Sequence, residues 1–133
     1  MKEPYWIIAD TIIFKPKFAN SLDEYVEIIS QYKNLIFSNS KDLKIATETN
    51  NKYDDKYNTI WNYSKFNQPL SNSLSKLINL EQLIWGNNFN QPLSDSLSNL
   101  LNLQQLTFGS CFNQPLSDSL SNLLNLEQLT TVS

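Results

Sequence analysis

The sequence predicts an α/β solenoid with a short-stranded parallel sheet on one face and helical or turn segments on the other. The first observation is a block of 23 residues that occurs three times in succession, at 66–88, 89–111 and, one residue shorter, 112–133. The second is a period-two apolar alternation within each block, and the third is a run of leucines at helical spacing before it. Near-identical blocks stack in register, so we expect their equivalent strands to pair in parallel.

The strand of each unit is clearest in the middle copy. Leu106 and Phe108 are two positions apart with Thr107 between them, which is the alternation of a half-buried strand. The Phe-Asn-Gln-Pro stretch that follows is expected to turn, because proline fixes its own φ angle. The helical segment is predicted from three leucines that fall on one helix face, Leu97, Leu100 and Leu101.

The whole chain, residues 1–133, is predicted to be a single solenoid domain in three parts. Residues 1–37 are interpreted as a degenerate N-terminal capping repeat, because Phe14 and Phe37 are 23 positions apart and fit the template of the later copies. Residues 38–65 fit the template poorly and are expected to form an irregular repeat with an exposed loop. Residues 66–133 are the three regular repeats.

One pattern runs across the junctions between the copies. It stands as LEQLIWGNNFNQPL at 80–93 and as LQQLTFGSCFNQPL at 103–116. This pattern resembles the FNIP repeat, a variant leucine-rich repeat abundant in amoebae and their giant DNA viruses. The resemblance covers residues 60–133 and implies a leucine-rich-repeat-like solenoid with a protein-binding role. Many members carry an F-box linked to ubiquitin ligases. Residues 1–65 show no F-box pattern. The alternative that the resemblance implies is therefore an adaptor that recruits substrates for a ubiquitin ligase and lacks its own F-box.

The residue types that are missing exclude several kinds of function. The 133 residues include ten lysines but no arginine and no histidine, and the net charge is −3. Without histidine there is no Ser-His-Asp or Cys-His mechanism and no imidazole ligand, so we expect no enzyme, no metal site and no cofactor. Without arginine, and with a negative net charge, the chain lacks the groups typical of nucleic-acid binding.

The same composition bears on location. A single cysteine, Cys111, cannot form an internal disulfide, which favours a reducing compartment. The apolar N-terminal stretch is too short and too interrupted for a signal peptide, and no run reaches the roughly 18 apolar residues of a membrane span. The sequence therefore predicts a cytoplasmic protein without a membrane partner, in the host-cell cytoplasm if the chain is viral.

The candidate binding surface is the sheet face turned away from the apolar core. Alternate strand residues are expected to point outward there, and Trp61 either covers the irregular repeat or anchors a partner. These partner-binding candidates are Trp61, Gln82, Ile84, Gln105, Thr107, Gln128 and Thr130. The leading hypothesis is a non-catalytic protein–protein interaction module that binds a protein of unknown identity through this face.

A structural, self-associating repeat protein is the other hypothesis. Thr131 stands where Trp85 and Phe108 stand in the earlier copies, and no capping sequence follows it. A solenoid end without a cap exposes a strand edge and apolar core, so either the chain is truncated here or this end pairs with another copy in a homo-oligomer.

Two repeated polar features leave alternatives open. The Asn-Gln pair that follows each repeat phenylalanine forms either a structural amide ladder or a ligand-binding row of amides. Cys111 stands where Asn88 stands in the preceding unit, and it is either a turn residue or a reactive thiol.

Overall fold

The protein is described by a computed structural model at residues 3–15, 21–38, 64–70, 73–93, 95–116 and 119–131. Over these ranges it is a β-solenoid of about four turns with one six-stranded sheet and few helices. The strands are β1 (Tyr5–Ile8), β2 (Thr11–Phe14), β3 (Asn34–Phe37), β4 (Gln82–Ile84), β5 (Gln105–Phe108) and β6 (Gln128–Thr131). One short α-helix, α1 (Val26–Ile29), and two 3-10 helices, Leu22–Tyr25 and Ser73–Lys76, complete the regular elements.

The sheet is mixed, with its strands in chain order from β1 to β6. Strands β2 to β6 are parallel, as predicted, and Phe14 lies beside Phe37 in the register. Strand β1, which the sequence analysis did not predict, runs antiparallel to β2 after a two-residue turn in which Ala9 has a φ of 52°. The N-terminal edge of the solenoid is therefore a hairpin.

The apolar core lies on the inner face of the sheet, and the repeat leucines point into it. In the middle unit the predicted core positions are all at most 1% exposed: Phe89, Leu93, Leu97, Leu100, Leu103, Leu106 and Phe108. Aromatic rings from successive layers stack through this core, with Trp85 and Phe89 only 3.9 Å apart between centroids. Trp85 is fully buried, as expected of a core residue.

The helical segment predicted in each unit is wrong for the middle copy, where residues 95–99 form turns. The backbone bonds join residues three apart, as from Leu100 N–H to the Leu97 carbonyl and from Leu103 N–H to the Leu100 carbonyl. Leucines three positions apart suit turns with three residues each, which bring them to the same side. Leu101, which the helical prediction placed with them, is 55% exposed instead.

Strands β3 and β4 are direct neighbours, so no strand lies between them in the sheet. Asn34 lies beside Gln82, 48 positions later, whereas the next pairs along the sheet are 23 positions apart. The irregular repeat predicted at 38–65 lies outside the described residues from 39 to 63. Its expected strand, just before Phe66, does not separate β3 from β4.

The described residues on either side of this stretch pack as in a regular layer. Phe37 stacks on Phe66 at 4.7 Å, as Trp85 stacks on Phe89 at 3.9 Å and Phe108 on Phe112 at 4.0 Å. The later pairs are four positions apart in sequence, and Phe37 and Phe66 are 29 apart. The same ring stacking therefore joins β3 to the first regular repeat across a longer stretch of sequence.

Candidate functional site

The outer face of the sheet carries a continuous row of polar side chains, one from each parallel strand. The register places Thr11, Asn34, Gln82, Gln105 and Gln128 side by side. The Asn34 side-chain amide donates to the Thr11 hydroxyl at 3.1 Å. The Gln82 side-chain Nε2 donates to Oε1 of Gln105 at 2.6 Å. In the same way, the Gln105 Nε2 donates to Oε1 of Gln128 at 3.2 Å. We call these five residues the amide row.

The amide row includes two residues that the sequence analysis missed, Thr11 and Asn34. Their alignment with the glutamines was obscured because Asn34 lies 48 positions before Gln82, not 23. The 23-residue separation of Thr11 from Asn34 is the one signal in the sequence that pointed to them. All three glutamines are half-buried, so their amide groups are partly accessible while bonded to each other.

The second outward row of the same face is not open, which corrects two of the candidate assignments. Ile84 is 1% exposed and Thr107 is 4% exposed, although both were expected to be accessible. Ile84 belongs to a small apolar cluster with Ile13 and Ile36, against which Trp6 and Ile8 pack. The isoleucines at this position in neighbouring strands are in contact, because side chains in register along a sheet lie side by side.

The two remaining candidates differ in what the structure shows. Thr130, at the end of the second outward row, is half-buried rather than covered. Trp61 lies outside the described residues. The accessible part of the predicted surface is therefore the row Gln82, Gln105 and Gln128 together with Thr130.

A separate ladder of amides runs along the turns that follow the strands. The Oδ1 atom of Asn67 accepts from the Asn90 backbone N–H at 2.8 Å and from the Gln91 amide at 3.0 Å. Asn90 repeats both contacts one layer on, with the Asn113 N–H and the Gln114 amide at the same two distances. Of the two interpretations of the repeated Asn-Gln pair, the structural ladder is the one observed.

A matched pair of substitutions tests this ladder. Asn90→Ala removes an oxygen that accepts two hydrogen bonds, so we expect the free energy of unfolding to fall by about 1–2 kcal/mol. Asn113→Ala removes the equivalent oxygen where, among the described residues, it accepts nothing, and we expect a change within about 0.5 kcal/mol. Urea unfolding followed by circular dichroism measures both, and equal losses would contradict the ladder.

A third set of contacts ties the layers together on the opposite side of the core. The amides of Asn102 and Asn125 donate to the carbonyl oxygens of Ile78 and Leu101, at 3.1 and 2.8 Å. Asn79 donates in the same way to the Ser30 carbonyl at 3.2 Å. Each of the three regular repeats therefore bonds to its neighbour through side-chain amides at three places around the turn.

The charged side chains of Lys33, Glu81 and Lys15 make contacts that do not involve the amide row. Lys33 and Glu81 form an exposed ion pair at 3.9 Å, and the Lys15 amino group lies 5.1 Å from the centre of the Trp6 ring. Burial raises the pKa of Tyr5 above its ordinary value of 10.0, and the nearby Glu3 carboxylate adds to the shift. The chemistry available along the row is thus hydrogen bonding by neutral amides.

The same residues also bear on other kinds of site. Within the described ranges, no three His, Cys, Asp or Glu side chains group closely enough to hold a metal ion. Cys111 is exposed, and its backbone N–H donates to the Asn87 carbonyl at 3.1 Å. No described helix is both long and apolar enough to span a membrane. A comparison with protein-family models found none that matches the chain, and a comparison with curated proteins found no match either.

Proposed function

We propose that the chain is a non-catalytic interaction module, a leucine-rich-repeat-like solenoid of the FNIP type that binds a protein partner through the outer sheet face. The observation that carries the proposal is the amide row, in which Gln82, Gln105 and Gln128 are held in line by their own hydrogen bonds. Ordered side chains lose less conformational entropy when a partner binds, which favours recognition. The partner surface would be neutral and polar, and the site of action the cytoplasm.

The row suits an extended polypeptide. Neighbouring strands lie about 4.8 Å apart, so the three glutamines present polar groups at a regular spacing across the strands. Each amide that is bonded along the row keeps one further N–H and one further lone pair for a partner. Ile84 and Thr107 of the second outward row are buried, so the glutamines and Thr130 are the accessible part of this face.

The test is partner capture with a substitution at the centre of the row. Gln105→Lys introduces a long charged side chain between two amides, and we expect the captured partner to be lost. Gln104→Lys is the matched control, because Gln104 is an exposed neighbour outside the row and gains the same charge. Quantitative mass spectrometry of proteins captured by the two variants and by the original chain compares them.

Two outcomes are informative, provided that circular dichroism shows both variants folded. A protein retained by Gln104→Lys and lost with Gln105→Lys supports the sheet face as the binding surface. A protein retained equally by both variants places recognition elsewhere and removes the amide row from the proposal.

A further inference from the structure

Three large aliphatic side chains form an exposed row on the lateral surface of the solenoid, outside the sheet. Ile78 is 56% exposed, Leu101 is 55% exposed and Leu124 is 88% exposed. They occupy the same position in three successive repeats, at intervals of 23 residues. Ile78 and Leu101 each have a layer on both sides, because β3, β4, β5 and β6 are consecutive in the sheet. Their exposure therefore does not depend on where the stack ends. We call these three residues the aliphatic row.

Hydrogen bonds between the layers hold the aliphatic row in register. The Asn102 side chain donates to the Ile78 carbonyl at 3.1 Å, and the Asn125 side chain donates to the Leu101 carbonyl at 2.8 Å. Because the strands of the same layers pair in the sheet, the row residues repeat at about 4.8 Å. Apolar side chains that are exposed together in this way are typical of a surface that another macromolecule covers.

The two flanks of the aliphatic row differ in charge. In the first regular repeat Lys76 precedes Ile78 along the turn and Glu81 follows it, so the two charges lie on opposite sides of the row. The equivalent positions in the later repeats are Asn99 and Asn122 on the lysine side, and Gln104 and Glu127 on the glutamate side. One flank is thus basic or neutral at these positions, and the other is acidic or neutral.

We propose that the aliphatic row is the contact between two copies of this chain, which lie side by side with their layers parallel. A two-fold axis along the stacking direction brings each residue of the row opposite its own equivalent. The second copy has the same spacing between layers, so all three apolar contacts form together. The same rotation exchanges the two flanks. Lys76 then faces Glu81 of the other copy, whose side chain is 39% exposed although it pairs with Lys33.

Charge favours this parallel arrangement over the antiparallel one. A two-fold axis across the stack would leave each flank facing itself, with the order of the layers reversed. Glu81 would then face Glu127 of the other copy, and Lys76 would face Asn122. Two carboxylates would be opposed and the lysine would lose its acidic partner, which is unfavourable for association. This contact goes beyond the proposed binding at the sheet face, because the aliphatic row lies outside the amide row.

Sedimentation equilibrium of the full chain under reducing conditions, from micromolar to millimolar concentration, measures this association. Three side chains make a small interface, so we expect a weak dimer with a Kd in the micromolar range. Leu101→Glu places two carboxylates at the centre of the contact and is expected to raise the Kd at least about tenfold. The matched control is Cys111→Glu, which adds the same charge at an exposed position of the same repeat, ten residues further along the turn. Its Kd is expected to be unchanged.

Disulfide trapping reports the orientation of the two copies. In a Cys111→Ser background, Ile78→Cys is expected to cross-link to itself under mild oxidation, because the parallel arrangement brings position 78 of both copies together. Cross-linking only in a mixture of the Ile78→Cys and Leu124→Cys chains would mean an antiparallel dimer and would overturn the proposal. A chain that stays monomeric at millimolar concentration would overturn it as well. So would a dimer that Leu101→Glu leaves intact, with circular dichroism showing both glutamate variants folded.

Discussion

Phe89→Ala is expected to lower the free energy of unfolding by about 3–5 kcal/mol, the range for a fully buried phenylalanine. The ring lies 3.9 Å from Trp85 and about 6 Å from Phe66 and Phe112 between centroids, in a parallel stack. Its loss opens a cavity between three layers at once. Because single domains are stable by only about 5–15 kcal/mol, the variant should unfold at a much lower urea concentration.

The control for this change is Leu101→Ala in the same repeat. Leu101 is 55% exposed, so the same reduction to alanine removes little buried area. We expect a change within about 0.5 kcal/mol, as for surface positions in general. A loss below about 1 kcal/mol for Phe89→Ala would show that the phase of the repeat is misassigned.

Gly109→Ala is expected to destabilise the protein by about 3 kcal/mol, as when an additional atom is forced into a well-packed site. A Cβ atom at Gly109 would lie 2.5 Å from the Gly86 carbonyl oxygen and 2.7 Å from the Asn87 Cα atom. Both are backbone atoms of the preceding layer, so they cannot rotate away as a side chain can. The variant must separate two layers or bend the strand end.

Differential scanning calorimetry on Gly109→Ala and Cys111→Ala makes the comparison. Cys111 is an exposed residue two positions further along, and its replacement by alanine should leave the transition temperature nearly unchanged. A transition for Gly109→Ala that matches the control would mean that the layers are further apart here than the structure places them.

The inner face of the sheet could be predicted from the sequence because the repeat encodes it redundantly. Each copy gives the same leucine and aromatic positions, so the phase of Phe89, Leu106 and Trp85 follows from alignment alone. The helical segment was mispredicted because leucines three apart fit both a helix face and a series of tight turns. A helix and a series of turns differ in their backbone hydrogen bonds. Only the folded structure shows that residues 95–99 form turns.

The outer face was predicted less well because its burial depends on parts of the chain outside the repeats. Nothing in the three copies indicates that Ile84 would meet Ile36 and Ile13 in one cluster. The 23-residue template also did not predict the pairing of β3 with β4, because Asn34 and Gln82 are 48 positions apart.

The pairing of β3 with β4 has a consequence for engineering the protein. The Asn88 N–H bonds the Ser64 carbonyl as the Cys111 N–H bonds the Asn87 carbonyl, so Ser64 keeps the spacing of a regular layer. The sheet likewise continues from β3 to β4, although Asn34 and Gln82 are 48 positions apart. Loop-closure entropy rises only slowly with length, so we expect a moderate increase in the number of residues between these strands to change the free energy of unfolding little.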